Sequence, residues 1–135
     1  MYGKFKAYVK EINDPERRGR IRVLCPAVFG DSLSKWCEPN IPCAIDSVGD
    51  FFIPPISECV WIEFEEGDIS KPVYTGGWYA KDKLPPGASA DVRVIGFKNT
   101  QIRLRQDVID LRIGGTMLSL TASDLVKLRT LINSL

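Results

Sequence analysis

The chain has 135 residues, with 18 lysines and arginines against 17 aspartates and glutamates, and it contains no histidine. This length suits one packed domain of ordinary size, or a small domain with an appendage. A formal charge of +1 gives no global electrostatic footprint for nucleic acid or for an anionic membrane. The lack of histidine removes the commonest general base and the commonest metal ligand.

Residues 1–12 alternate charged and apolar side chains without a continuous apolar core. We therefore expect neither a signal peptide nor stable membrane insertion, and a chain that is made in a cytoplasm and stays reduced. The four cysteines form no CxxC pair, so we expect buried thiols and neither a metal nor a cofactor site. These cysteines are Cys25, Cys37, Cys43 and Cys59.

Two alternating runs, residues 4–12 and 20–25, predict the first two strands. The turn between them, residues 13–19, contains Asn, Asp, Pro and Gly, which all favour turns. The apolar face of the first strand consists of Phe5, Ala7 and Val9.

A local basic cluster surrounds the start of the second strand. Its members are Arg17, Arg18, Arg20 and Arg22. The cluster could grip phosphate or a carboxylate-rich partner. We favour a solvated edge, because basic side chains also protect exposed strands from unwanted pairing.

Residues 27–35 are predicted to form a loop, and residues 36–39 an edge strand interrupted by proline. The segment 49–55 places Phe51 and Phe52 beside two prolines. We expect one of these rings to plug the mouth of a small barrel, and both are also candidates for docking a partner.

Residues 59–78 form the clearest hairpin. Val60, Ile62 and Phe64 occupy every second position of its first strand, and residues 72–75 form its second strand. The long turn between them carries acidic residues and is too long for a tight two-residue connection. The five strands predicted up to residue 79 suit an all-β, five-stranded Greek-key barrel of the OB type.

Residues 80–91 are rich in Pro, Gly, Ala and Ser and are predicted to be a linker. Four short alternating segments follow within residues 92–120, and Gly114-Gly115 predicts a tight hairpin between the last two. They are residues 92–95, 101–105, 109–113 and 116–120. Their apolar face has no second layer of its own, so it either folds back on the barrel or meets copies of itself, which we favour.

Residues 121–135 are predicted to be a helix, since Thr121 and Asp124 resemble a capping box. Its apolar residues follow the spacing of a coiled-coil seam, although a helix packed on its own barrel would show nearly the same pattern. They are Leu125, Leu128, Ile132 and Leu135.

An ordered set of motifs resembles the OB-fold domain of the VgrG and phage baseplate hub family. The set consists of Gly19-Arg20-Ile21-Arg22-Val23 with Pro26, then Trp36, then residues 49–54, then residues 60–76. The most specific part is the acidic turn with Gly67-Asp68, followed by Lys71-Pro72-Val73 and Thr75-Gly76.

The resemblance implies a non-enzymatic, structural protein of a contractile tail baseplate or related injection machine, assembled in the host cytoplasm. It implies a homotrimer that links a ring-shaped hub protein to a spike or tip protein. Some members carry a lysozyme domain or a long repetitive spike. Neither fits in this chain, where residues 92–120 would instead form a trimeric, β-prism-like stem.

Two sets of candidate site residues follow. The partner-docking candidates are Glu65, Glu66, Asp68, Phe51 and Phe52. The trimer-seam candidates are Ile109, Leu111, Ile113, Leu118 and Leu120 on the stem strands and Leu125, Leu128, Ile132 and Leu135 on the helix.

Two other functions compete with this one. A single-stranded nucleic-acid-binding OB protein would use Tyr8, Trp61 and Tyr74 as stacking platforms, with Arg20 and Arg22 nearby. The acidic turn argues against such a basic groove, so we expect no nucleic acid and no small-molecule substrate. A carboxylate-based hydrolase would need two acids facing each other across a cleft. Its candidates, Glu63, Glu65, Glu66 and Asp68, surround a turn, where acids are usually solvated.

Overall fold

The computed structural model describes all 135 residues, in two compact units, Met1–Ala80 and Lys81–Leu135. The first unit contains a short helix, α1 (Pro26–Phe29), and seven strands. The strands are β1 (Phe5–Glu11), β2 (Arg22–Leu24), β3 (Glu38–Pro39), β4 (Ala44–Ile45), β5 (Val48–Gly49), β6 (Cys59–Phe64) and β7 (Pro72–Gly77). Strands β4 and β5 form a separate small hairpin.

The other five strands of the first unit form one sheet in the order β2-β1-β6-β7-β3. Neighbouring strands are antiparallel except β3 and β7, which run parallel. The sheet curls back on itself, because Ile21 and Cys37 exchange backbone hydrogen bonds of 3.2 and 2.7 Å next to β2 and β3. This order and closure confirm the predicted five-stranded OB barrel.

The alternation seen in the sequence determines which side chains fill the barrel. In β6 the residues at even positions are buried and those at odd positions are partly exposed. On the predicted inward face of β1, Ala7 and Val9 are buried and Phe5 is partly buried. The core consists of Ala7, Val9, Ile21, Val23, Cys25, Cys37, Val60, Ile62, Phe64 and Tyr74. The Phe64 ring contacts Phe5 and Phe29, each at a centroid distance of 5.9 Å, so α1 packs on one end of this core.

One prediction about the connection after β2 is wrong, and one is confirmed. The expected loop contains α1, which begins at Pro26, a residue whose fixed φ suits the first position of a helix. The expected edge strand is the last strand of the sheet, since β3 pairs only with β7, and a single bridge between Cys37 and Ile21 lies on its other side.

The prediction that Phe51 or Phe52 plugs the mouth of the barrel is also wrong. Phe51 is 76% exposed and Phe52 is 68% exposed, so neither ring fills the barrel. The neighbouring Ile53 packs against the core instead. The two aromatic rings therefore stay available on the surface.

The second unit is a four-stranded antiparallel sheet in the order β11-β10-β9-β8. Its strands are β8 (Arg93–Phe97), β9 (Thr100–Arg105), β10 (Val108–Ile113) and β11 (Thr116–Leu120). The predicted hairpin at Gly114-Gly115 is present: Ile113 pairs with Thr116, and Gly114 adopts the positive φ that such a turn requires (φ 59°).

Helix α2 (Ala122–Asn133) follows β11. Thr121 is its N-cap: Asp124 N donates to Thr121 Oγ1 (3.3 Å), and Thr121 N donates to Asp124 Oδ2 (2.9 Å). These bonds form the predicted capping box and lower the pKa of Asp124. No residue of α2 is buried, and helices of this length are marginal in water without packing.

Candidate docking surfaces

A single carboxylate, that of Asp14, organises the turn between β1 and β2. It accepts hydrogen bonds from the backbone N–H groups of Glu16, Arg18 and Arg20 at 2.8–3.2 Å. It also accepts two from the Arg20 guanidinium, at 2.8 and 3.1 Å. The bond with Arg20 is the main reason that the pKa of Asp14 lies well below its usual range. Turn composition alone did not reveal this role.

The basic cluster is an ion-pair network rather than the expected solvated edge. The pairs are Arg18 with Glu16 and Glu38, Arg20 with Asp14 and Glu16, and Arg22 with Glu11. Arg22 also donates to the Ser34 carbonyl (2.9 Å). Only Arg17 has no acidic partner within 4.0 Å. Arg20 and Arg22 are therefore already neutralised within the chain.

A groove of about 440 Å³ opens between the β1–β2 turn and the loop that carries β4 and β5. We call it the Phe51 groove. Its apolar lining consists of Pro39, Ile41, Ala44, Ile45, Val48, Phe51, Phe52, Ile53 and Tyr74. Phe51 lies close to Gly19, where a Cβ atom would come within 3.5 Å of the ring. Arg17, Arg18 and Asp50 add charge to the lining, so the groove combines exposed aromatic rings with one unpaired arginine.

The acidic turn forms a 3-10 turn over Glu65–Gly67, with Glu66 in the left-handed region (φ 52°). Asp68 accepts hydrogen bonds from Ser70 N (2.9 Å) and Oγ (2.7 Å), and these bonds lower its pKa. The carboxylates of Glu65 and Glu66 have no partner, whereas that of Asp68 holds the turn together. None of the three lines the Phe51 groove, so the docking candidates form two separate patches.

An aromatic cluster lies on the outer face of the barrel. Lys6 Nζ is 4.4 Å from the Trp78 ring centroid and 5.7 Å from that of Trp61, and Tyr8 meets Trp78 edge-on at 6.0 Å. Trp78 was missed because an irregularity in the β6–β7 register interrupts the alternation just before it. The Gly76-Gly77 pair is the sequence signal that could have indicated this irregularity.

Neither competing function finds its predicted site. Tyr74 is only 5% exposed, and its hydroxyl donates to the Gly19 carbonyl (2.7 Å), so it cannot be a stacking platform beside Tyr8 and Trp61. The Oε1 atom of Glu63 lies 3.9 Å from Nζ of Lys4, so this carboxylate forms an ion pair. Neither Glu63 nor the acids of the turn line the Phe51 groove or a second cavity beside Gly114, so neither of these provides the cleft that the hydrolase requires.

The cysteines divide by position. Cys25 and Cys37 are in the core, as predicted, and burial raises the pKa of both thiols, that of Cys37 to about 11. Cys59 is partly buried. Cys43 is exposed, so the prediction of a buried thiol is wrong there, because the residue precedes β4 outside the barrel sheet.

The sheet of the second unit has two chemically different faces. The strand register places Ile102, Leu104, Ile109, Leu111 and Leu118 on one face, and all five are 40–56% exposed. We call this the apolar face; it continues with Ile95, Phe97, Ile113 and Leu120. All the predicted strand residues of the seam are on it.

The opposite face, which we call the polar face, is the better buried one. Asp110 is 2% exposed there and accepts hydrogen bonds from Arg105 Nε (2.8 Å), Arg105 Nη2 (2.9 Å) and Ser119 Oγ (2.6 Å). Arg105, followed by Ser119, lowers the pKa of Asp110 to about 2. The usual arrangement of a sheet, with its apolar face covered and its polar face in water, is inverted here.

The four predicted seam residues of the C-terminal segment are exposed, three of them in α2 and Leu135 just beyond its end. Leu125, Leu128 and Ile132 are 49–57% exposed, and Leu135 is fully exposed. Within the second unit nothing covers this apolar stripe. Neither helix of the chain is long and apolar enough to cross a membrane.

Comparison with known proteins gives one match. The family described as the type VI secretion system/phage-baseplate injector OB domain matches residues 5–79, which is more than half of the chain. The matched segment begins with β1 and ends just after β7, so it contains the entire barrel sheet. A search among curated proteins found no match.

Proposed function

Because the chain belongs to the family of type VI secretion system and phage-baseplate injector OB domains, we propose that it forms a homotrimer in the central hub or spike of such a machine. The family supports a structural role in a baseplate. Our proposal adds that the protein links a ring-shaped hub protein to a separate spike or tip protein and catalyses no reaction. It would act in a virion tail baseplate or related injector, after assembly in the host cytoplasm.

The observation that most strongly supports the proposed trimer is the exposed apolar face of the β8–β11 sheet. A monomeric protein rarely leaves such a continuous apolar patch in water. Here the patch lies behind a well-ordered polar face, whose Asp110 network is complete without a partner. Burying the apolar face against other copies would remove it from water, which is the main driving force of association.

The exposed apolar residues of α2 also support the trimer. Its apolar residues follow the seam spacing and are exposed, while its capping box fixes where it begins. Less than two heptads cannot form a stable coiled coil alone. We infer that the helices of three copies pack together at one end of a shared stem formed by residues 92–120.

The barrel offers two patches for the other partners. The Phe51 groove combines exposed aromatic rings with an unpaired arginine, a composition typical of the energetically important centre of an interface. Glu65 and Glu66 present free carboxylates, which could pair with basic side chains at the rim of a partner's interface. We assign the groove and the acidic turn to the docking of the ring-shaped hub and the spike or tip.

Removal of residues 121–135 tests whether the helix contributes to the trimer contact. We expect light scattering to show a large loss of trimer in the truncated chain, because the seam then loses four apolar side chains per copy. Lys127→Ala on the polar side of α2 is the matched control and should leave the mass unchanged. An unchanged mass of the truncated chain would remove the helix from the seam.

A further inference from the structure

The polar face of the β8–β11 sheet contains a cavity of about 350 Å³. It lies at the end of the sheet where the β8–β9 turn and the β10–β11 turn meet, and Gly114 N donates to the Asn99 carbonyl there (2.8 Å). Its lining consists of Pro86, Lys98, Asn99, Gln101, Arg112, Gly114 and Gly115. This lining includes two cationic side chains and no carboxylate.

The two cationic side chains of this cavity have no carboxylate partner. The Nε–H group of Arg112 donates a hydrogen bond to the Gly114 carbonyl (3.1 Å), which orients the guanidinium. No carboxylate lies within 4.0 Å of the charged nitrogens of Arg112 or Lys98. Gln101 is 8% exposed, and its Oε1 accepts from Arg103 Nε (3.0 Å). The NH₂ group of Gln101 therefore has no acceptor within the chain.

The other charges of this face cannot neutralise the cavity. Asp110 is fully engaged by Arg105 and Ser119. Asp107 lies in the β9–β10 turn, at the opposite end of the strands. Lys98 and Arg112 are thus two cations of one lining without a carboxylate partner. The Lys98 ammonium lies 5.4 Å from the Phe97 ring centroid, a cation–π contact that does not neutralise its charge.

We propose that this cavity is a binding site for an oxyanion, either a phosphate or a carboxylate group. A guanidinium binds such groups through two parallel N–H bonds, and an ammonium adds a point charge. The space beside Gly114 and Gly115 is open, since a Cβ atom at either position would meet no atom within 4 Å. Gln101 and Arg112 are on the polar face, opposite the face that we propose to meet other copies.

The test is an NMR titration of the ¹⁵N-labelled full chain with sodium phosphate and, separately, with sodium acetate. Sodium chloride at equal ionic strength is the reference, because it reproduces screening without a polyatomic oxyanion. We expect saturable shifts of the Gly114 and Gly115 amide signals. Saturation by phosphate alone would indicate a phosphate ligand. Saturation by acetate as well would indicate that a carboxylate of a partner can occupy the site.

Arg112→Gln should weaken this binding about tenfold or more, in keeping with the loss of hydrogen bonds to a charged group. Lys98→Gln is a second variant, in an exposed turn where folding is not at risk. Arg129→Gln on the exposed surface of α2 is the matched control and should bind like the natural chain. The proposal is overturned if no saturable shift appears, or if both cavity variants bind as tightly as the control.

Discussion

Tyr74 shows how one buried hydroxyl joins the barrel to a turn distant in sequence. Its ring belongs to the core, and its hydroxyl donates to the carbonyl of Gly19 at the end of the β1–β2 turn (2.7 Å). Burial raises the pKa of this phenol to about 12. The side chain therefore acts as a neutral hydrogen-bond donor at any physiological pH.

Tyr74→Phe keeps the ring and removes only this bond. We expect the free energy of unfolding to fall by about 1 kcal/mol, the usual net contribution of one hydrogen bond. Urea denaturation followed by tryptophan fluorescence measures it, at a fixed protein concentration. Tyr8→Phe is the control, because the Tyr8 hydroxyl has no hydrogen-bond partner in the chain. Equal stability of the two variants would show that the Gly19 bond is unimportant.

Asp110 makes the stability of the second unit sensitive to acid. Its folded-state pKa of about 2 is below the ordinary value of 3.8, because Arg105 and Ser119 stabilise the ionised form. A depressed pKa contributes stability that is fully present above the unfolded-state value and is lost as the pH falls through the folded-state value. The contribution should therefore disappear between about pH 4 and about pH 2.

The free energy of unfolding of the natural chain should fall through this window. In Asp110→Asn the fall should be shallower, because the group that takes up the proton is gone, and Arg105→Gln should flatten it in the same direction. Urea titrations at several values from about pH 5 to about pH 2 measure the slope. An identical slope in the natural chain and in Asp110→Asn would contradict the assignment.

At the scale of elements, the two faces of β11 can be separated by two neighbouring residues. Leu118 is on the apolar face and Met117 on the polar face, and their exposed fractions are nearly equal, 56% and 53%. A lysine at position 118 would have to bury its charge in the proposed seam, which is strongly unfavourable without a partner. A lysine at position 117 would remain in water.

Leu118→Lys should therefore reduce the mass in light scattering to that of one chain, whereas Met117→Lys should keep the mass of the natural protein. Circular dichroism of both variants checks that the strands persist. Dissociation by Met117→Lys with no effect of Leu118→Lys would mean that the polar face, rather than the apolar one, joins the copies.

The elements that the sequence predicted well are those in which a side-chain period repeats. Residues 59–64 alternate along a whole strand, and Thr121 with Asp124 marks the start of α2. The errors fall where pairing between distant segments decides the outcome. The bridge between Ile21 and Cys37 joins segments 16 positions apart, and no period in the sequence indicates it. Asp14 and Trp78 gain their contacts from turn geometry and an irregular register, neither of which has a period.

At the scale of the whole molecule, the OB barrel assigns the chain to its family, and the second unit contains the surfaces of the proposed trimer. The barrel has a complete core of its own. The second unit has no residues to cover its apolar face, and its helix buries none of its side chains. We therefore assign the contacts of the proposed trimer to residues 92–135 and the contacts with its partners to the barrel.

The mass of the intact protein in solution tests this account most directly. Size-exclusion chromatography with light scattering at micromolar concentration should give three times the chain mass of 15.1 kDa. The trimer should persist at high salt, because an apolar seam is not weakened by screening. A mass of 15.1 kDa at the same concentration would contradict the trimer and, with it, the proposed place of this protein in the hub.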